Sequence, residues 1–120
     1  EMKDIIDWQE EPAKILNGRT GEEYPVYYQF YEDYSSNQKR FDIQANVAKL
    51  DKPLFIVHGT ADEAVPISHS QSLYDFVLHS LFLQIDGAGH TFGASHPWNE
   101  DHLPDQLLEI VEECIEFLEM

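Results

Sequence analysis

The sequence predicts an α/β fold built on parallel strands, and three observations carry that prediction. Leu54-Phe55-Ile56-Val57, opened by Pro53, is an unbroken apolar run, the pattern of a strand with both faces covered. A second run, Leu81 to Ile85 (LFLQI), follows a segment over 67–79 in which Leu73, Tyr74, Phe76 and Val77 recur at helical spacing. A last segment, Leu103 to Leu118, places Leu107, Val111, Cys114 and Leu118 on one helical face. Glu109, Glu112, Glu113 and Glu116 lie largely opposite. Strand, helix, strand, helix in this order is a β-α-β-α unit, its parallel strands joined by a right-handed crossover. Two continuous apolar strands call for further neighbours, so the unit reads as the end of a larger α/β sheet.

Upstream, residues 4–16 open with a short helix carrying Ile5, Ile6 and Trp8, against which Pro12 stands as a breaker. Residues 17–25 (NGRTGEEYP) hold two glycines and polar residues between apolar flanks, the composition of a hairpin turn. Val26 to Tyr31 (VYYQFY), rich in β-formers, is the expected returning strand. Ser35 to Arg40 reads as a polar loop. Phe41 to Leu50 reads as a short helix through Phe41, Ile43, Val47 and Leu50. The organisation expected is a helix and hairpin excursion over 1–40, then one incomplete α/β domain over 41–120.

Composition narrows the partners. Across 120 residues, seven bases stand against 23 acids, a net charge of −16, and apolar residues make up 42%, which sets the chain apart from acidic disordered tails. Neither nucleic acid nor membrane is an expected partner. Phosphate contacts draw on Lys and Arg, and no apolar run approaches the roughly 20 residues of a membrane span. All seven bases precede residue 53, and all six histidines lie at or after His58. From residue 61 onward there are twelve acids and no Lys or Arg, which reads as a solvated acidic face. The single cysteine, Cys114, forms no internal disulfide and is expected to pack as a small hydrophobe. Glu1 precedes Met2, so the chain is expected to be processed or cut from something longer. A cytoplasmic setting is favoured, although the start carries no information on a signal peptide.

In open parallel sheets, reactive groups gather at the carboxyl ends of the strands. Two segments fall there: residues 58–66 (HGTADEAVP) and residues 87–93 (GAGHTFG). The first offers Asp62 and the second His90, 28 residues on, a separation that admits one helix and one strand. A carboxylate bonded to one imidazole nitrogen fixes the tautomer and leaves the other nitrogen as a general base. The competing structural roles are an Asx turn or helix cap for Asp62 and a structural loop bond for His90. The segments Gly59-Thr60-Ala61-Asp62-Glu63-Ala64-Val65-Pro66 and Gly87-Ala88-Gly89-His90-Thr91-Phe92 resemble the acid and histidine motifs of the dienelactone-hydrolase and prolyl-oligopeptidase-like α/β-hydrolases. In these, G-x-x-D-x-x-V-P follows a strand ending in HG, and G-x-x-H-x-F follows the last strand. The resemblance covers about 41–120. It implies the C-terminal part of an α/β-hydrolase parallel sheet with flanking helices, preceded by a β-hairpin excursion. Asp62 would be the triad acid and His90 the triad base.

One part of the pattern is missing. The nucleophile of this fold sits in G-x-S-x-G on a strand-to-helix elbow, upstream of the acid, and no G-x-S-x-G occurs in the sequence. Ser35 and Ser36 lack flanking glycines, and Ser95 follows the histidine. The oxyanion donors near the elbow are missing with it. The expectation is the C-terminal portion of a serine hydrolase acting on ester, lactone or peptide-like acyl bonds, inactive alone and using no cofactor. Its partners would be a small-molecule or peptide acyl substrate in the longer enzyme and, through an open strand edge, further copies of itself. The alternative is a small non-catalytic acidic module that reuses the half-fold for binding. His58 reads as shaping its loop, Trp98 as packing or a substrate wall, and His69, His79 and His102 as surface residues. A metal site of His58, Asp62, His90 and His96 lacks the close spacing such sites use.

Overall fold

The chain order in a computed structural model, which describes residues 2–120 and side chains from residue 5 onward, is α1 (Met2–Glu10), β1 (Ala13–Leu16), β2 (Glu23–Val26), α2 (Gln29–Ser36), α3 (Gln38–Phe41), α4 (Ile43–Val47), β3 (Leu54–Gly59), α5 (Ile67–Phe76), β4 (Ser80–Ile85) and α6 (Asp105–Glu119). Two units result, one running to Asn46 and the other spanning Val47–Met120.

In the first unit the hairpin forms as expected, with β1 antiparallel to β2 and Ala13 opposite Val26. Asn17 closes its turn: its N–H donates to the Glu22 carbonyl at 2.8 Å, and its side-chain oxygen accepts from the Arg19 N–H at 2.9 Å. Gly21 supplies the positive φ of 72° that the turn needs. The returning strand, however, is Glu23–Val26 rather than Val26–Tyr31. The second half of that run, Gln29 to Tyr31, opens α2, and the expected loop at 35–40 lies largely in α2 and α3. Aromatic β-propensity expresses packing on a pleated, half-buried surface, and among the described residues no third strand joins this hairpin to offer one. Helical spacing instead gathers Tyr28 and Tyr31 around Trp8, with ring centroids 5.5 to 6.2 Å apart. The Trp8 indole N–H donates to the Val26 carbonyl at 2.6 Å, joining α1 to the hairpin. The helix expected over 41–50 is limited to Ile43–Val47, opened by Asp42, whose carboxylate accepts from the Ala45 N–H at 2.9 Å.

The second unit has the β-α-β-α arrangement. β3 and β4 are parallel and paired in register from Leu54 opposite Ser80 to Gly59 opposite Ile85. Helix α5 packs on both strands and α6 on β3. Ile56 on β3, Ile85 on β4 and Ala88 in the loop after β4 are buried. On α6 the half-buried residues include Leu107, Ile110, Cys114 and Phe117, and the Phe117 ring stacks on Phe55 at 5.2 Å. The expected face is therefore rotated, because Val111 and Leu118 are exposed beside Leu108 and Ile115. The helix carries two overlapping apolar stripes, and Phe55 on β3 selects the one holding Phe117. Because Gly59 and Ile85 are opposite one another, the loops that follow the two strands start side by side.

Candidate active site

The loop after β3 can approach the loop after β4 because residue 59 has no side chain. A Cβ there would run into the Ala88 carbonyl group and stand 3.0 Å from the Gly89 oxygen. With glycine in place, the two loops bond to each other. Thr60 N–H donates to the Ile85 carbonyl at 3.0 Å and Ala61 N–H to the Ala88 carbonyl at 2.9 Å. The Thr60 hydroxyl accepts from Gly87 N–H at 2.7 Å and donates to Asp86 Oδ1 at 3.2 Å. Asp62 and His90 lie just beyond this clasp. Gly59 is the first residue of the acid motif, and this contact gives its physical role; Thr60, at a variable position of that motif, is a supporting residue that the motif does not mark.

His90 Nδ1 lies 2.9 Å from Asp62 Oδ2. The two carboxylate oxygens of Asp62 are used differently. Oδ1 accepts from the N–H groups of Ala64 at 2.8 Å and Val65 at 2.9 Å, the local turn weighed as its structural role. Oδ2 is left to face the histidine. The turn and the histidine bond therefore coexist on one side chain. The Val65 N–H, then the His90 ring, hold the Asp62 carboxyl down at about 2 from 3.8, against the opposing effect of burial. Asp62 is thus a carboxylate at neutral pH and only accepts, so Nδ1 of a neutral His90 must carry the proton. That leaves Nε2 with its lone pair. It makes no hydrogen bond among the described residues, and the His90 side chain is 54% exposed against 5% for Asp62. An oriented imidazole with one fixed and one open nitrogen is equipped to take a proton from a bound group.

The His90 loop is tightly folded. Phe92 N–H donates to the Gly89 carbonyl at 3.2 Å, Ala94 N–H to the Thr91 carbonyl at 3.0 Å, and the Thr91 hydroxyl to the Ala94 carbonyl at 2.7 Å. Phe92 and Gly93 turn the chain with φ of 52° and 83°. Trp98 spends its indole N–H on the His102 carbonyl at 2.8 Å within its own segment. His69, His79, His96 and His102 are exposed. No group of three or more His, Cys, Asp or Glu among the described residues is arranged to hold a metal ion. Within the second unit, Ser95 lies in the loop after His90 and Cys114 is on α6; neither is hydrogen-bonded to His90 among the described residues. Ser35 and Ser36 end α2 in the first unit.

A solved structure of Est1E from Butyrivibrio proteoclasticus, an esterase, superposes on 90% of this chain with a TM-score of 0.57 and 25% sequence identity. The fold is that of an esterase-like α/β-hydrolase. This hydrolase-fold chain spans 37% of the Est1E chain. Over 64 residues, 53% of its length, it is 33% identical to the polyketide synthase ThaQ of Burkholderia thailandensis, of which it spans 3%. No protein-family model matches it.

Proposed function

We propose that this chain supplies the acid and the base of a Ser-Asp-His triad in a hydrolase that cleaves ester, lactone or peptide-like acyl bonds. The subtype would be the dienelactone-hydrolase and prolyl-oligopeptidase-like one suggested by the two motifs. The observation that carries the reading is the 2.9 Å bond between Asp62 and His90 at the carboxyl ends of adjacent parallel strands. The resemblance to Est1E supports it. The nucleophilic serine comes from outside this stretch. Nε2 of His90 takes the serine proton as the hydroxyl attacks the acyl carbon, then delivers it to the leaving group. Asp62, unprotonated throughout, orients the ring and stabilises the imidazolium.

The test has two arms. The purified chain is assayed with an activated acyl ester beside its His90→Ala variant, and no His90-dependent turnover is expected. The coding DNA upstream of Glu1 is then read for an in-frame G-x-S-x-G, and the longer protein is expressed. There His90→Ala is expected to lower kcat by about 10³-fold or more. A large His90-dependent rate from the present chain overturns the division of labour. A longer protein indifferent to His90→Ala overturns the triad.

A further inference from the structure

Behind the Asp62–His90 pair lies a second histidine that the proposed reaction does not use. His58 is the penultimate residue of β3, with only 7% of its side chain exposed. Both its ring nitrogens are bonded: Nδ1 lies 2.7 Å from the Ser70 hydroxyl on α5, and Nε2 lies 2.9 Å from the Val65 carbonyl. Nε2 also stands 3.4 Å from Asp62 Oδ2, the oxygen that faces His90. A carbonyl accepts and cannot donate, so Nε2 of the neutral ring carries the proton, and Nδ1 accepts from Ser70. His58 therefore grips the Val65 peptide from its carbonyl side, while the N–H of the same residue holds Asp62 Oδ1. Its N–H edge also faces Oδ2 at a distance where it favours a negative oxygen.

We infer that His58, latched to helix α5 through Ser70, is the positioning residue for the Asp62 carboxylate: it fixes the Val65 turn and holds Oδ2 where His90 meets it. The inference rests on the triad reading for its functional meaning. A bond from Ser70 to His58 to Val65 to Asp62 ties the acid to both β3 and α5. Without it, Asp62 would be anchored through its own turn alone, and the carboxylate would lose its fixed direction toward His90. The i, i+4 spacing of His58 and Asp62 on either side of Gly59 is the sequence signal of this arrangement.

The two histidines are assigned opposite neutral tautomers, Nε2–H for His58 and Nδ1–H for His90, and long-range ¹H–¹⁵N correlation spectra of the full chain distinguish them. The measurement is made in alkaline buffer, and the signals of the neutral rings are compared. In the parent chain both assigned forms are expected. His58→Leu is expected to move His90 from the Nδ1–H form to a mixture of tautomers, while Thr60 and Ala61 keep their amide protection. His58→Gln, which restores an amide donor near the Nε2 position, is expected to recover the Nδ1–H form. An Nδ1–H tautomer for His58, or a His90 tautomer unmoved by His58→Leu, overturns the inference. If His58→Leu does not fold, Ser70→Ala takes its place. An intermediate movement of His90 supports the latch, and none overturns it. Asp62→Ala separates the two levels. If His90 is not in the Nδ1–H form in the parent, or Asp62→Ala leaves its form unchanged, the triad reading fails whatever His58 does.

Discussion

Replacing Gly59 by alanine gives the sharpest test of how the loops carrying Asp62 and His90 are joined. The added Cβ would meet the Ala88 carbonyl group, with its carbon 2.7 Å and the Gly89 oxygen 3.0 Å away, all backbone atoms. No rotamer change relieves that, so the loops must separate. Overpacking of this kind costs about 1–3 kcal/mol. Separation also breaks the Ala61 N–H to Ala88 carbonyl bond, worth about 0.5–1.5 kcal/mol. Together the loss is about 1.5–4.5 kcal/mol, and at 1.36 kcal/mol per decade this means roughly 10- to 2,000-fold less protection of the amides in the clasp. Native-state hydrogen exchange read at Thr60 and Ala61 measures it within the second unit. The internal control is Gly89→Ala, one residue before His90, where an added Cβ has nothing within 4 Å and φ is not positive. That variant is expected to cost less than about 0.5 kcal/mol. If Gly59→Ala is no more damaging than Gly89→Ala, the close approach of the loops is not what Gly59 provides, and the account of how Asp62 reaches His90 is wrong.

Two further outcomes are expected. Because the Asp62 carboxyl is held at about 2, below its ordinary 3.8, the folded state favours its ionised form. Its stabilising contribution is complete above about pH 4 and is lost as pH falls toward about 2. Asp62→Asn is therefore expected to flatten the acid dependence of the urea midpoint in that window, and an unchanged slope contradicts the assignment. On α6, Phe117→Ala removes the ring stacked on Phe55 and is expected to cost about 2–3 kcal/mol in urea unfolding. Leu118→Ala, at a position 81% exposed, is expected to stay within about 0.5 kcal/mol. A reversed order means that the other stripe of the helix packs.

The second half of the chain was far more legible than the first. The runs at Leu54–Val57 and Leu81–Ile85 could be read because strands covered on both faces need continuous apolar side chains. The helices between and after them followed from their period. Val26 to Tyr31 misled because the β-propensity of aromatic residues depends on a pleated surface to pack against, which the sequence does not reveal. What settled their place was the position of Trp8, distant in sequence. The α6 face misled for a related reason: eight apolar residues between Leu107 and Leu118 satisfy more than one stripe, and only the partner strand chooses.

The sequence by itself determined a parallel β-α-β-α unit and placed an acid and a histidine in the loops after its two strands. That much follows from local periodicity and from the rule that adjacent parallel strands end on the same side. The tertiary structure decided the rest: that Oδ1 of Asp62 is spent on the turn and Oδ2 on His90, and that Gly59 yields to the Ala88 carbonyl. It also decided that His58, outwardly a strand-end residue, is buried between Ser70 and Val65. These are matters of direction and distance between groups far apart in the chain. Residue types and spacing bring such groups near one another, but only packing orients them.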